Sequence, residues 1–211
     1  MRDFVARRTS CAVSRRNRVH GLTTVLNAGR STCFSTVSLG TTEGGYYTMT
    51  IRLDDTIALV TGAAGGIGRA VCQALKDAGA RVIATDLPER ADVPAEAYFR
   101  HDVADPADWQ RIAAHIDGKY ARLDALVNVA AIVAVDSIAN TTLETWRKIQ
   151  SVNVESILIG TQSMLELLKK SGKTRKGGAS IVNFSSVGGL RGAAFASAYC
   201  TSLDAHAGAT S

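Results

Sequence analysis

The residues with the clearest chemical meaning are Thr61-Gly62-Ala63-Ala64-Gly65-Gly66-Ile67-Gly68. A β-branched apolar run, residues 56–61, precedes them, and a helical pattern from about Ile67 to Ala78 follows, stopped by Gly79. Glycines placed between a strand and a helix can do what bulkier residues cannot. Gly62 permits the tight turn, Gly66 lets the backbone approach a pyrophosphate, and Gly68 lets the helix pack close to the sheet. Unpaired N–H groups at the helix start, at the positive end of its dipole, would hold the phosphate charge. A loop of the Gly-Lys-Ser/Thr type is excluded, because Arg69 follows Gly68.

Asp86 lies twenty residues beyond Gly66, at the end of a second apolar run, residues 81–86. A carboxylate there accepts hydrogen bonds from an adenosine ribose. It would repel a 2′-phosphate, and neither Gly65 nor Leu87 is a cation that could offset it. NAD is therefore the expected cofactor, with NADP as the alternative.

The elements needed to position these groups alternate along the chain. After the first two strands come a short third at residues 98–101, a helix opened by Asp105-Pro106, and a fourth strand at residues 123–128. Thr141 and Glu144 have the spacing of a capping box. A long helical region runs from there to about Lys170, with a possible break near Asn153. Residues 171–178 are expected to be a basic surface loop, and residues 179–184 a fifth strand. Strands separated by helices imply right-handed crossovers: an α/β, Rossmann-like doubly wound parallel sheet with helices on both faces.

Composition narrows the field further. The chain has 211 residues, a net charge of +5 and 46% hydrophobic residues. No apolar run is long enough for a membrane-spanning helix. Seven arginines and two acids fall within residues 1–48, so residues 49–211 are neutral, with 17 charges of each sign. A neutral body carries no nucleic-acid footprint. Residues 1–48 are rich in Arg, Ser and Thr and lack sustained periodicity. They are expected to be a disordered extension or misplaced start, a transit peptide, or a basic arm. Met49 resembles a natural start. The body is expected in the cytoplasm, or in mitochondria if the extension is a transit peptide. The four cysteines form no Cys-x-x-Cys pair, and His101 and His115 lack partners at metal-ligand spacing, so no metal is expected. Trp109 and Trp146 read as core anchors and Cys200 as a packed helix residue.

Residues 51–202 resemble the short-chain dehydrogenase/reductase family. The resemblance rests on Thr61, Gly62, Gly66 and Gly68, on Asp102-Val103, on Asn128-Val129-Ala130-Ala131, on Asn153, and on Ser186 thirteen residues before Tyr199. It implies hydride transfer between a secondary alcohol or ketone and NAD(P). Gly62, Ala64, Gly66, Ile67, Gly68, Asp86, Asp102, Val103, Asn128 and Ala130 would then bind the cofactor. Tyr199 would be the acid–base group, Ser186 would hold the substrate oxygen, and Asn153 would position a relay water. Family members associate as dimers or tetramers, so a homo-oligomer is a further implication.

Three positions depart from the family's pattern. Val129 replaces an Asn that supports the central strand, Ala131 replaces a Gly and only adds a methyl near the cofactor, and Leu203 stands where the family's Tyr-x-x-x-Lys motif has lysine. That lysine promotes the phenolate and binds the nicotinamide ribose. Leu203 can do neither, and His206 lies about two helical turns beyond Tyr199. The chain also stops before the family's later strands. The sequence therefore leads us to expect an impaired enzyme, or alternatively a non-catalytic dinucleotide-binding fragment.

Overall fold

The computed structural model describes residues 22–24, 36–40, 46–50, 52–175 and 177–205. The chain divides into two units, one of residues 1–31 and 35–51, the other of residues 52–211 with 32–34. In the first unit, β1 (Leu22–Thr24), β2 (Thr36–Gly40) and β3 (Tyr46–Thr50) form an antiparallel sheet in the order β1-β2-β3. The sequence offered no periodicity from which to read these strands. The remainder of 1–48, and His206, lie outside the described residues.

The second unit is built on a strand buried along its whole length. All five residues of β4 (Ile57–Thr61) are at most 2% exposed. Such a strand must be covered on both faces, as parallel sheets are. The unit adds β5 (Arg81–Asp86), β6 (Ala97–Arg100), β7 (Ala125–Asn128) and β8 (Ser180–Asn183) in the order β6-β5-β4-β7-β8, every pair parallel. The chain runs outward on one side of β4, returns, and continues on the other. The gap between β4 and β7 is therefore the topological switch point, where open α/β sheets bind ligands beyond the strands' carboxyl ends.

Alternate residues feed two cores. Ile57, Leu59, Ile83 and Leu126 pack with Trp109, Ile112 and Ile116 of α2 (Pro106–Tyr120) and Met164, Leu167 and Leu168 of α4 (Ser156–Thr174). Val60, Val82, Ala84 and Val127 pack on the opposite face with Cys72 of α1 (Gly66–Asp77). The period of two along each strand sends one set to each layer. Burial pushes the Cys72 thiol up to about 11, so it packs as an inert apolar group.

Helix starts follow local chemistry. Asp105 caps α2, its carboxylate accepting from Ala107 N–H at 2.8 Å, with Pro106 in the first turn. The cap of α3 (Leu143–Gln150) is Thr142, whose hydroxyl accepts from Thr145 N–H at 3.1 Å, so the expected Thr141–Glu144 box is displaced by one residue. Between α3 and α4 the backbone widens into a π turn, Ser151–Glu155, at the break expected near Asn153. The segment 171–174, expected as loop, is the last turn of α4. Tertiary contacts hold it there. Ser171 Oγ donates to the buried Asp124 carboxylate, and Arg175 donates to Asp124, to Thr56 Oγ1 and to Asp55 O. A short 3-10 turn, Val187–Gly189, then leads to α5 (Ser197–Asp204).

Candidate functional site

The glycine turn follows directly on the carboxyl end of β4. Gly62 has φ +64°, and a β-carbon on it would sit 2.7 Å from the Ala130 backbone, so the loop after β7 closes on the turn as only glycine allows. A β-carbon on Gly68 would overlap the Gly62 carbonyl. Gly66 has open space around it and lies on the cleft side. Helix α1 begins there, and its first N–H groups have no partners within the helix. The opposite side of the turn is steadied by Thr61, whose Oγ1 accepts from Val129 N–H at 3.2 Å and Ala130 N–H at 3.3 Å. Val129 packs into the smaller core, so the strand end is held without the amide side chain that the resemblance led one to expect there.

Asp86 ends β5 beside this turn. One carboxylate oxygen accepts from Ala64 N–H at 2.8 Å, and the other from Leu87 N–H at 2.7 Å. The carboxylate is fixed, half-buried, and has lone pairs left for hydroxyl donors. Beyond β6, the loop Asp102–Ala104 is fixed on two sides. Asp102 N–H donates to Asp108 and Ala104 N–H to Asp102, while Trp109 Nε1 donates to the Val103 carbonyl at 2.8 Å. His101 lies beneath it, 1% exposed, with Nδ1 3.0 Å from Thr85 Oγ1 and its ring edge-on to Trp109. Burial pushes this imidazole down to about 4, so it is neutral at pH 7.

These pieces line one cleft of about 880 Å³, a size within the ~300–1,000 Å³ range usual for cofactor sites. Of the residues singled out from sequence, Gly62, Gly66, Ile67, Gly68, Asp86, Asp102, Val103, Ala130 and Tyr199 are in its wall. Ala64 and Asn128 are not among the lining residues. Ala64 spends its N–H on Asp86, and Asn128 donates to Asn183 Oδ1 at 2.7 Å, bracing β7 against β8. The wall also includes Arg147 and Lys148 of α3 and Ser151 and Val152 of the π turn, which the sequence reading did not single out. The available signal was a spacing of four, which puts 147 with 151 and 148 with 152 on one helix face.

Tyr199 stands on α5. The place a Gly188 β-carbon would occupy is 3.5 Å from the Tyr199 ring and 3.6 Å from Ser186 Oγ, so these two side chains flank the same gap. Ser186 Oγ accepts from Gly188 N–H at 3.1 Å, which leaves its hydroxyl hydrogen to donate elsewhere. Asn153, 1% exposed, accepts from Ile132 N–H at 2.8 Å and donates to Ile132 O and Ser202 Oγ at 2.9 Å each. Ser202 donates in turn to Tyr199 O at 2.7 Å. The π turn, the loop after β7 and α5 are thus tied together through one amide. Leu203 is 2% exposed and outside the cleft wall, and its carbonyl accepts from Ser185 Oγ at 3.1 Å. Among the described residues no His/Cys/Asp/Glu cluster suits a metal, and no helix is long and apolar enough to cross a membrane.

The model of the family described as "short chain dehydrogenase" matches residues 56–211. The chain is similar to the NADP-dependent (R)-specific alcohol dehydrogenase of Lentilactobacillus kefiri, 33% identical over 74% of this chain and 64% of that protein. It is similar also to the cyclopentanol dehydrogenase of Comamonas testosteroni, 36% identical over 70% of this chain and 61% of that one. Among solved structures it resembles the aldohexose dehydrogenase of Thermoplasma acidophilum, with a TM-score of 0.66, 31% identity, and coverage of 74% of this chain and 59% of that chain. The chain spans about three fifths of the length of the curated relatives it matches.

Proposed function

The chain belongs to the short chain dehydrogenase family, and from that premise we propose that it binds NAD in the cleft at the switch point and descends from oxidoreductases that interconvert secondary alcohols and ketones. The observation that carries this reading is the joining, in one cleft, of the glycine turn, the Asp86 carboxylate and the Tyr199 ring. When bound, the nicotinamide would accept or give the hydride. Gly62, Gly66, Gly68 and the start of α1 would hold the diphosphate, Asp86 the adenosine ribose, and Asp102-Val103 the adenine. NAD is preferred to NADP in this reading because Asp86 presents its charge where a 2′-phosphate would lie. The NADP named for the Lentilactobacillus relative makes this the point to test first.

Tyr199 would take the proton from the substrate hydroxyl in oxidation and return it in reduction, while Ser186 donates to the substrate oxygen. Asn153 would act through position, since its amide fixes α5 to the loop after β7. A second reading has support of its own. Leu203 is apolar and buried where the family's lysine stands, so the chain keeps the nucleotide cleft but lacks the cation that favours a phenolate. It would then bind the dinucleotide and turn over slowly or not at all.

Titration of folded full-length chain with NADH and NADPH, followed by single-turnover assays on secondary alcohols, tests both readings. Saturable NADH binding with NADPH at least tenfold weaker is expected. Saturation without turnover favours the second reading, and no saturation with either coenzyme overturns both.

A further inference from the structure

Among the described residues the cleft wall carries two acids, Asp86 and Asp102, and two cationic side chains, Arg147 and Lys148, His101 being buried and neutral. A nicotinamide dinucleotide brings its own negative diphosphate. Without the two cations, that ligand would approach a wall already bearing two negative charges. Arg147 and Lys148 are exposed on α3, and neither forms an ion pair among the described residues. Glu144 lies three and four residues before them, within reach on a helix, yet is not paired with either. Their position is set by packing. Val152, one turn beyond Lys148, packs against the larger core, and this helix face shares the cleft wall with the Asp102–Ala104 loop.

From this juxtaposition of two unpaired cations with two acids in one cleft, we infer that Arg147 and Lys148 are the coenzyme-attracting residues of the site. They cancel the acidic charge of the wall and steer a nucleotide diphosphate into it. The inference rests on the dinucleotide reading above. With both cations present the two acids of the wall are balanced, which removes a repulsion that would slow the approach of an anionic ligand; salt screens that repulsion in any case.

The test is stopped-flow binding of NADH to the full chain and to Arg147→Gln, Lys148→Gln and the double variant, at low salt and at about 0.5 M, where the Debye length falls to a few ångströms. Glutamine keeps the helix propensity, so folding is spared. The double variant is expected to associate about three- to tenfold more slowly at low salt, with a dissociation rate changed less than twofold and the difference gone at high salt. Lys173→Gln, which removes an exposed cation outside the cleft, should match the wild type, and the affinity for uncharged adenosine should not change. An unchanged association rate overturns the inference, as does a loss confined to dissociation that persists in salt. Failure of the wild-type chain to take up NADH at all overturns the dinucleotide reading itself, and is visible before any variant is made.

Discussion

Asp86 spends one lone pair of each oxygen on a backbone N–H, which fixes the carboxylate's direction and leaves its charge in place. Asp86→Ser keeps a small polar group while removing that charge. It is expected to weaken NADH by about tenfold and to narrow or reverse the preference over NADPH, read as the ratio of the two dissociation constants. Leu203→Lys is the complementary gain. A free tyrosine is only about 0.1% ionised at pH 7, and an ammonium nearby favours the phenolate by ~1–3 pKa units. Turnover of a secondary alcohol at pH 7 should rise more than tenfold, and a rise smaller than that would count against the role given to position 203. The glycine turn and Asp86, which share one cleft wall, could be singled out in sequence from a short, fixed spacing, whereas Tyr199 was singled out only through the family resemblance. Arg147 and Lys148 were not, because a charged pair on a helix usually faces water until packing brings that face against a cleft.

At the scale of elements, the five strands of the parallel sheet were readable to within a residue or two from their apolar runs, and the three of the antiparallel sheet were not. The ends of helices were less so, because distant partners decide them. Thr141 and Thr142 both have cap chemistry, and only the backbone geometry selects Thr142. Ser171 to Thr174 have loop composition, yet Asp124 and Arg175 draw them into α4. Helix packing adds a constraint no composition reveals. A β-carbon at Gly160 of α4 would sit 2.5 Å from the Trp109 ring of α2. Trp109 in turn holds the Val103 carbonyl. Gly160→Ala should therefore cost about 1–3 kcal/mol by overpacking, measured as a lower urea midpoint, and should weaken NADH as well if the ring shifts the Asp102–Ala104 loop.

For the whole molecule, acid is the expected weakness. Between the ordinary histidine value near 6.5 and its folded value of about 4, the unfolded chain takes up a proton at His101 that the folded chain refuses. That contribution is complete above about pH 6.5 and is lost as pH falls towards 4, by up to ~3 kcal/mol. Glu96 acts in the same direction at lower pH. Hydrogen bonds from Arg81, then Lys119 and Tyr120, hold its carboxyl well below the usual carboxylate range, and acid removes what they contribute. Urea melts at pH 7, 6 and 5 should show falling stability, and His101→Phe should flatten the curve in that interval. The π turn has a consequence at the same scale. One added residue rotates everything upstream by roughly 100° around the axis relative to α4. The helix thus works as two dials on one shaft: α4 is set for the core, α3 for the wall of the cleft. Deleting a single residue within 151–155 would leave both helices intact and turn the basic stripe away from the cleft.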